Sequence, residues 1–201
     1  MKIIRDLLSR DLNRKIEEII QVDQDDEQAV YTEITEYIAT DSIRDQYSML
    51  LKAVAEAPSD PHESVGVWVS GFFGSGKSSF AKNFGYALQN ATVCGHSFAE
   101  LFKRQIDTPQ VSNLLDSINA RFPTEVILFD VSKQQDTRQQ TGRIAELIYT
   151  MVLRELDYAE DFDIAELEIE LEAEGKLDDF IAKCKEMHGR DWHLVRKGAQ
   201  R

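Results

Sequence analysis

The residues best suited to chemistry form one short run, Gly71-Phe72-Phe73-Gly74-Ser75-Gly76-Lys77-Ser78, with Ser79 directly after it. The run satisfies every fixed position of the phosphate-binding pattern G-x-x-x-x-G-K-[ST]. Each position answers a physical need. A triphosphate carries several negative charges, and many donors must meet them at close range. Glycines at 71, 74 and 76 let the backbone turn tightly, so that successive N–H groups face inward as an anion nest. A helix opening at Lys77 adds its positive amino-terminal end. Lys77 would then reach the β- and γ-phosphates, and the Ser78 hydroxyl would bind Mg²⁺. The expectation is a nucleoside triphosphate held by Gly71, Phe72, Phe73, Gly74, Ser75, Gly76, Lys77, Ser78 and Ser79. Lys77 is its catalytic cation and Ser78 its metal ligand.

A second carboxylate is harder to assign. Asp130 ends the apolar run Val126-Ile127-Leu128-Phe129, where a Mg²⁺-positioning acid would stand. The glutamate that commonly follows such an acid is replaced by Val131. Asp130 is therefore a catalytic candidate, while the plainer reading is an aspartate capping a strand end. On that plainer reading the Mg²⁺-positioning strand is not among these 201 residues. Other polar residues read structurally. His62, His96, His188 and His193 show neither metal-ligand spacing nor a nucleophile partner. Arg138 and Arg143 read as a solvated loop and helix face, and Trp192 as packing for a last helix.

Composition narrows the class. The chain has 36 acidic against 23 basic residues and a net charge of −13. So acidic a body repels phosphate backbones, so DNA contact would be indirect or made by regions outside the chain. Two cysteines, Cys94 and Cys184, give neither a disulfide framework nor a zinc pattern. The first residues lack the apolar core of a secretory peptide, and no run approaches the ~18 apolar residues of a membrane span. A cytoplasmic protein without membrane contact is expected.

The elements that must position the loop follow from periodicity. Apolar residues at three-or-four spacing predict helices over 6–20 and 27–38, and Ile43, Tyr47, Leu50, Leu51 and Val54 predict a third behind Thr40, Asp41 and Ser42. Pro58-Ser59-Asp60-Pro61 reads as a linker. Residues 65–70 and 126–129 are short and apolar, which predicts buried parallel strands, with Trp68, Val69, Phe72, Phe73, Phe80 and Phe84 in the core. A helix is predicted from Lys77 to Gln89. The Ser97 to Glu100 pattern and Thr108-Pro109 start two more. After a polar loop at 132–140 comes a helix through Ile144 and Val152. Residues 155–179 hold twelve acids and one base, read as a solvated helix face that opens at Asp163 with Glu166 as its capping-box partner. Leu177 to Met187 marks another helix before Gly189.

The loop with its flanks, from Val65 to Leu88, resembles the P-loop ATPases of bacteriophage-exclusion (BREX) systems, the BrxC/PglY family. The segments 40–44, 115–121, 124–130, 165–175 and 192–198 are similar as well, so the likeness spans essentially the whole chain. This resemblance implies adenine as the base, hence ATP and Mg²⁺ as cofactors. It also implies an AAA+-like ATPase working with other BREX components, among them a DNA methyltransferase and a phosphatase-like protein, and self-association. Members of that family are far longer, so this chain reads as an amino-terminal portion.

The expected fold is α/β: an incomplete three-layer P-loop NTPase core with a helical amino-terminal region and an acidic helical extension. The expected divisions are 1–57, a linker at 58–61, a partial nucleotide-binding core at 62–154 and the extension at 155–201. Two rival functions stand beside the ATPase. One is a small P-loop kinase in which Asp130 helps hold the metal, and the other is a nucleotide-gated, non-catalytic scaffold.

Overall fold

The computed structural model describes residues 26–57, 66–131 and 144–198. The helix expected over 6–20, the 58–61 linker, the 132–140 loop, Val65, His62, Arg138 and Arg143 lie outside the described residues. The chain divides into two compact units, Met1–Asp130 and Val131–Arg201.

In the first unit, local signals start each helix and apolar spacing fixes its buried face. Helix α1 (Glu27–Glu36) begins where the Asp26 carboxylate accepts from the Ala29 N–H at 2.7 Å, and it buries Val30 and Ile34, four residues apart. Helix α2 (Asp41–Glu56) is capped by Thr40 and buries Tyr47 and Leu51 with the same spacing. Helix α3 (Lys77–Gln89) follows the glycine-rich loop. The two-residue strands β1 (Thr92–Val93) and β2 (His96–Ser97) pair antiparallel around Cys94 and Gly95, both at positive φ, as a tight hairpin turn requires. Ser97 caps α4 (Phe98–Ile106), and Pro109 opens α5 (Pro109–Arg121), where its missing N–H costs nothing. These helices close around one core in which Ile34, Tyr47, Leu51, Phe98, Phe102, Ile106, Val111 and Leu115 are fully buried. Burying each such side chain contributes about 1.5–3 kcal/mol before entropy is counted.

The expectation of a three-layer α/β core with a parallel sheet is overturned. The described residues are mostly helical, and their single sheet is the antiparallel β1–β2 pair. Residues 66–70 and 126–129, expected as buried strands, adopt no strand. The reason is that an extended segment becomes a strand only with a ladder partner about 4.8 Å away. Among the described residues neither segment has one. Val126 and Leu128 instead lie against α3 at Gly85. Trp68, Phe72 and Phe73, expected in the core, are 91%, 91% and 95% exposed, and Val69 is exposed as well. Phe80 is buried and Phe84 partly buried, as expected for that helix face.

The second unit comprises α6 (Ile144–Glu155), α7 (Phe162–Ala173), α8 (Leu177–His188) and α9 (Trp192–Gly198). Helix α7 starts earlier than the expected Asp163: the Asp161 carboxylate accepts from the N–H groups of Asp163 and Ile164, both at 3.2 Å. Either aspartate could cap, and the chain uses the one that leaves Asp163 in the first turn, beside the positive helix end. Gly175 and Gly189, at φ 68° and 64°, end α7 and α8. The acidic stretch is not solvated throughout. Glu168 is buried, accepting from the Ala159 N–H at 2.7 Å, the Trp192 indole at 2.5 Å and Arg196 at 3.0 Å. Arg196 also donates to the carbonyl and carboxylate of Asp157. Trp192 packs edge-on against Phe180, with ring centroids 4.9 Å apart. Among the described residues no helix is long and apolar enough to cross a membrane.

Candidate functional site: the loop before helix α3

The loop is positioned by the helix it opens, and the core anchors that helix. The Phe80 ring stacks on Tyr47 with centroids 4.3 Å apart, and the Tyr47 hydroxyl lies 3.1 Å from the Phe80 carbonyl. Two residues further on, the buried Lys82 pairs with Glu33 of α1 at 2.8 Å. Asn119 of α5 donates to the Ala87 carbonyl at 3.2 Å. At Gly85 an added Cβ would stand 2.7 Å from Val126 Cγ1, so the segment ending at Asp130 approaches α3 as closely as a glycine allows. Helix α3 is thus tied to α1, α2, α5 and residues 126–128.

The loop itself is exposed and tightly turned. Gly74 and Gly76 have φ of 77° and 86°, a region where a side chain would be strained. Gly71 has a different constraint. A Cβ there would lie 2.6 Å from Ser75 Oγ, so the Ser75 side chain occupies the space over the first glycine. The Ser75 N–H donates to the Phe72 carbonyl at 3.2 Å, and the Lys77 ammonium donates to the same oxygen at 2.8 Å. Two donors from within the loop therefore converge on Phe72.

That convergence refines which amides can meet a phosphate. In a trans peptide C=O and N–H point opposite ways. The Phe72–Phe73 peptide turns its oxygen toward Lys77, which directs the Phe73 N–H away from the ammonium. The donors available to an anion are those further along, at the start of α3. Gly76, the N-cap, has no side chain, and no side-chain cap bond forms there. Helices α5 and α8 likewise lack a side-chain cap bond, whereas side chains cap α1, α2, α4 and α7. The α3 start therefore keeps open amide donors, the helix dipole's positive end and an ammonium within a few residues, a combination suited to an anion of high charge density.

The remaining site residues take simple places. Ser78 is exposed in the first turn of α3, and Ser79 is half-buried beside it. Asp130 is half-buried at the end of the extended segment that packs on α3. Among the described residues no group of three or more His, Cys, Asp or Glu side chains could hold a metal. The Ser78 hydroxyl would offer an oxygen, the ligand type that Mg²⁺ takes. The Phe72 tether and the Ser75 contact with Gly71 had no signal in the sequence, because the pattern leaves both Phe72 and Ser75 unrestricted. His96 stacks on Tyr31 with centroids 5.6 Å apart, and His188 and His193 are exposed. No protein-family model matches the chain, and no solved structure matches it.

Proposed function

We propose that the chain binds ATP with Mg²⁺ through residues 71–79 and contributes this site to an ATPase of a cytoplasmic BREX phage-defence complex. The observation that carries the nucleotide reading is the Lys77 ammonium tethered to the Phe72 carbonyl at the uncapped start of α3. A cation already held at the start of a helix loses little further rotamer freedom when phosphate arrives. Lys77 would neutralise charge on the β- and γ-phosphates, and the open amides at the start of α3 would bind their oxygens. The chemistry supplied by a bound Mg²⁺ would be electrostatic stabilisation of the negative charge on the phosphates. Ser78 would hold the ion, and Asp130 is the candidate acid to orient its waters.

The defence assignment and its protein partners rest on the resemblance of residues 65–88 and the similar segments around them. Hydrolysis in this reading belongs to the complete assembly, with a water-activating acid and an arginine finger supplied by other residues. The test is metal dependence. ATP affinity of the parent chain should rise when Mg²⁺ is added, and this gain should vanish in Ser78→Ala while metal-free affinity is retained. An undiminished Mg²⁺ gain in Ser78→Ala would remove Ser78 from the metal, and no ATP binding by the parent would overturn the reading altogether.

A further inference from the structure

We infer that α9 is a releasable strap, filling in cis a docking site on the second unit for a short helix that presents an indole and a guanidinium four residues apart. Glu168 of α7 is buried, and its Oε1 accepts from both the Trp192 indole, at 2.5 Å, and Arg196, at 3.0 Å. Residues four apart share a helix face, so one carboxylate oxygen reads both side chains at once. The Arg196 nitrogen that meets Glu168 also donates to the Asp157 carbonyl at 2.8 Å, and its other terminal nitrogen reaches the Asp157 carboxylate at 2.7 Å. The planar fork of a guanidinium suits this arrangement, and the point charge of a lysine does not. Phe180 of α8 supplies an aromatic wall for the indole.

The site is held together by bonds that do not involve α9. The Ala159 N–H fixes the other Glu168 oxygen, Oε2, at 2.7 Å. The turn that presents Asp157 is closed by the N–H groups of Asp157 and Tyr158, which donate back to the carbonyls of Arg154 and Leu153. Helix α9 itself has seven residues, against the ~12–15 that an isolated helix needs in water, so its helicity depends on docking. A half-released α9 would leave Glu168 buried without Arg196, which is the costly state of a buried ion pair. Full release instead lets water reach the carboxylate. The strap therefore opens or closes as a unit, and when it is open the same acceptors are presented to a Trp-x-x-x-Arg helix of a partner protein.

The test is fluorescence anisotropy of a labelled peptide of residues 190–198 added to the full chain without nucleotide, so that its outcome is independent of the ATP reading. The parent should bind the peptide weakly, because its own α9 fills the site and only the open fraction is competent. Trp192→Ala with Arg196→Ala in the chain removes that competitor and should tighten peptide binding at least about tenfold. A peptide carrying Arg196→Lys should bind the doubly substituted chain at least about tenfold more weakly than the unaltered peptide. Equal binding by the parent and the double variant, or binding by neither, would overturn the inference. A lysine peptide that binds as well as the arginine peptide would overturn it too. So would a double variant whose helical circular dichroism falls by more than the share of α9, because α9 would then belong to the core of the second unit.

Discussion

The Lys77 ammonium and the Phe72 carbonyl are joined at 2.8 Å across the glycine-rich loop. A lysine side chain carries about 2 kcal/mol of rotamer entropy, and this tether removes part of it before any ligand binds. The same carbonyl accepts from the Ser75 N–H, so the loop's turn and the placement of its cation depend on one oxygen.

A Cβ at Gly71 would stand 2.6 Å from Ser75 Oγ, the end of a short exposed side chain that can rotate away. Gly71→Ala should therefore turn the Ser75 hydroxyl aside and leave the turn in place. ATP affinity should fall by no more than about threefold, equivalent to about 0.7 kcal/mol. Adding Ser75→Ala removes the approaching oxygen and should restore that loss. Calorimetric titration of the single and double variants measures both.

Gly85 and Val126 form a comparable close approach, with 2.7 Å between an added Cβ and Val126 Cγ1. Overpacking of this kind costs about 1–3 kcal/mol. Gly85→Ala should lower the urea midpoint of the first unit, and Val126→Ala in the same chain should recover part of the loss. Equal destabilisation with and without Val126→Ala would show that the two residues do not collide.

Tyr47 gives the first unit an alkaline limit. Burial above all, and then its hydrogen bond and charge interaction with Tyr37, push the Tyr47 phenol far above its ordinary value of about 10. Burial also raises Tyr37. Above about pH 10 the unfolded chain loses these protons while the folded chain keeps them, so unfolding is favoured as pH rises. Stability should be insensitive to these two groups below that pH and fall steadily above it. Tyr47→Phe should cost about 1 kcal/mol at neutral pH through the lost bond to the Phe80 carbonyl, and should make the alkaline fall shallower. Urea unfolding at neutral and alkaline pH checks the slope.

Local chemistry made the helices legible. Thr40, Ser97 and Pro109 announce starts, and Tyr47 with Leu51, or Val111 with Leu115, announce faces, because caps and four-residue spacing act within one turn. Asp161 was missed in favour of Asp163 because two aspartates stand within three residues and only the fold decides between them. Residues 66–70 and 126–129 were misread as strands, since strand propensity states that a side chain suits a pleated surface but not that a partner exists. The loop was legible in its glycines, Lys77 and Ser78. Its internal bonds were not, because the carbonyl of Phe72 and the oxygen of Ser75 acquire their roles only from backbone geometry.

The most direct test of the central claim is calorimetric titration of the 201-residue chain with ATP–Mg²⁺, beside its Lys77→Ala variant. The account predicts saturable binding by the parent at one site per chain. It also predicts a loss of at least about tenfold in Lys77→Ala, or about 1.4 kcal/mol, with the thermal unfolding of the variant unchanged because, among the described residues, the Lys77 ammonium bonds within an exposed loop. Equal affinity in the two proteins, or no binding by a folded parent, would contradict it.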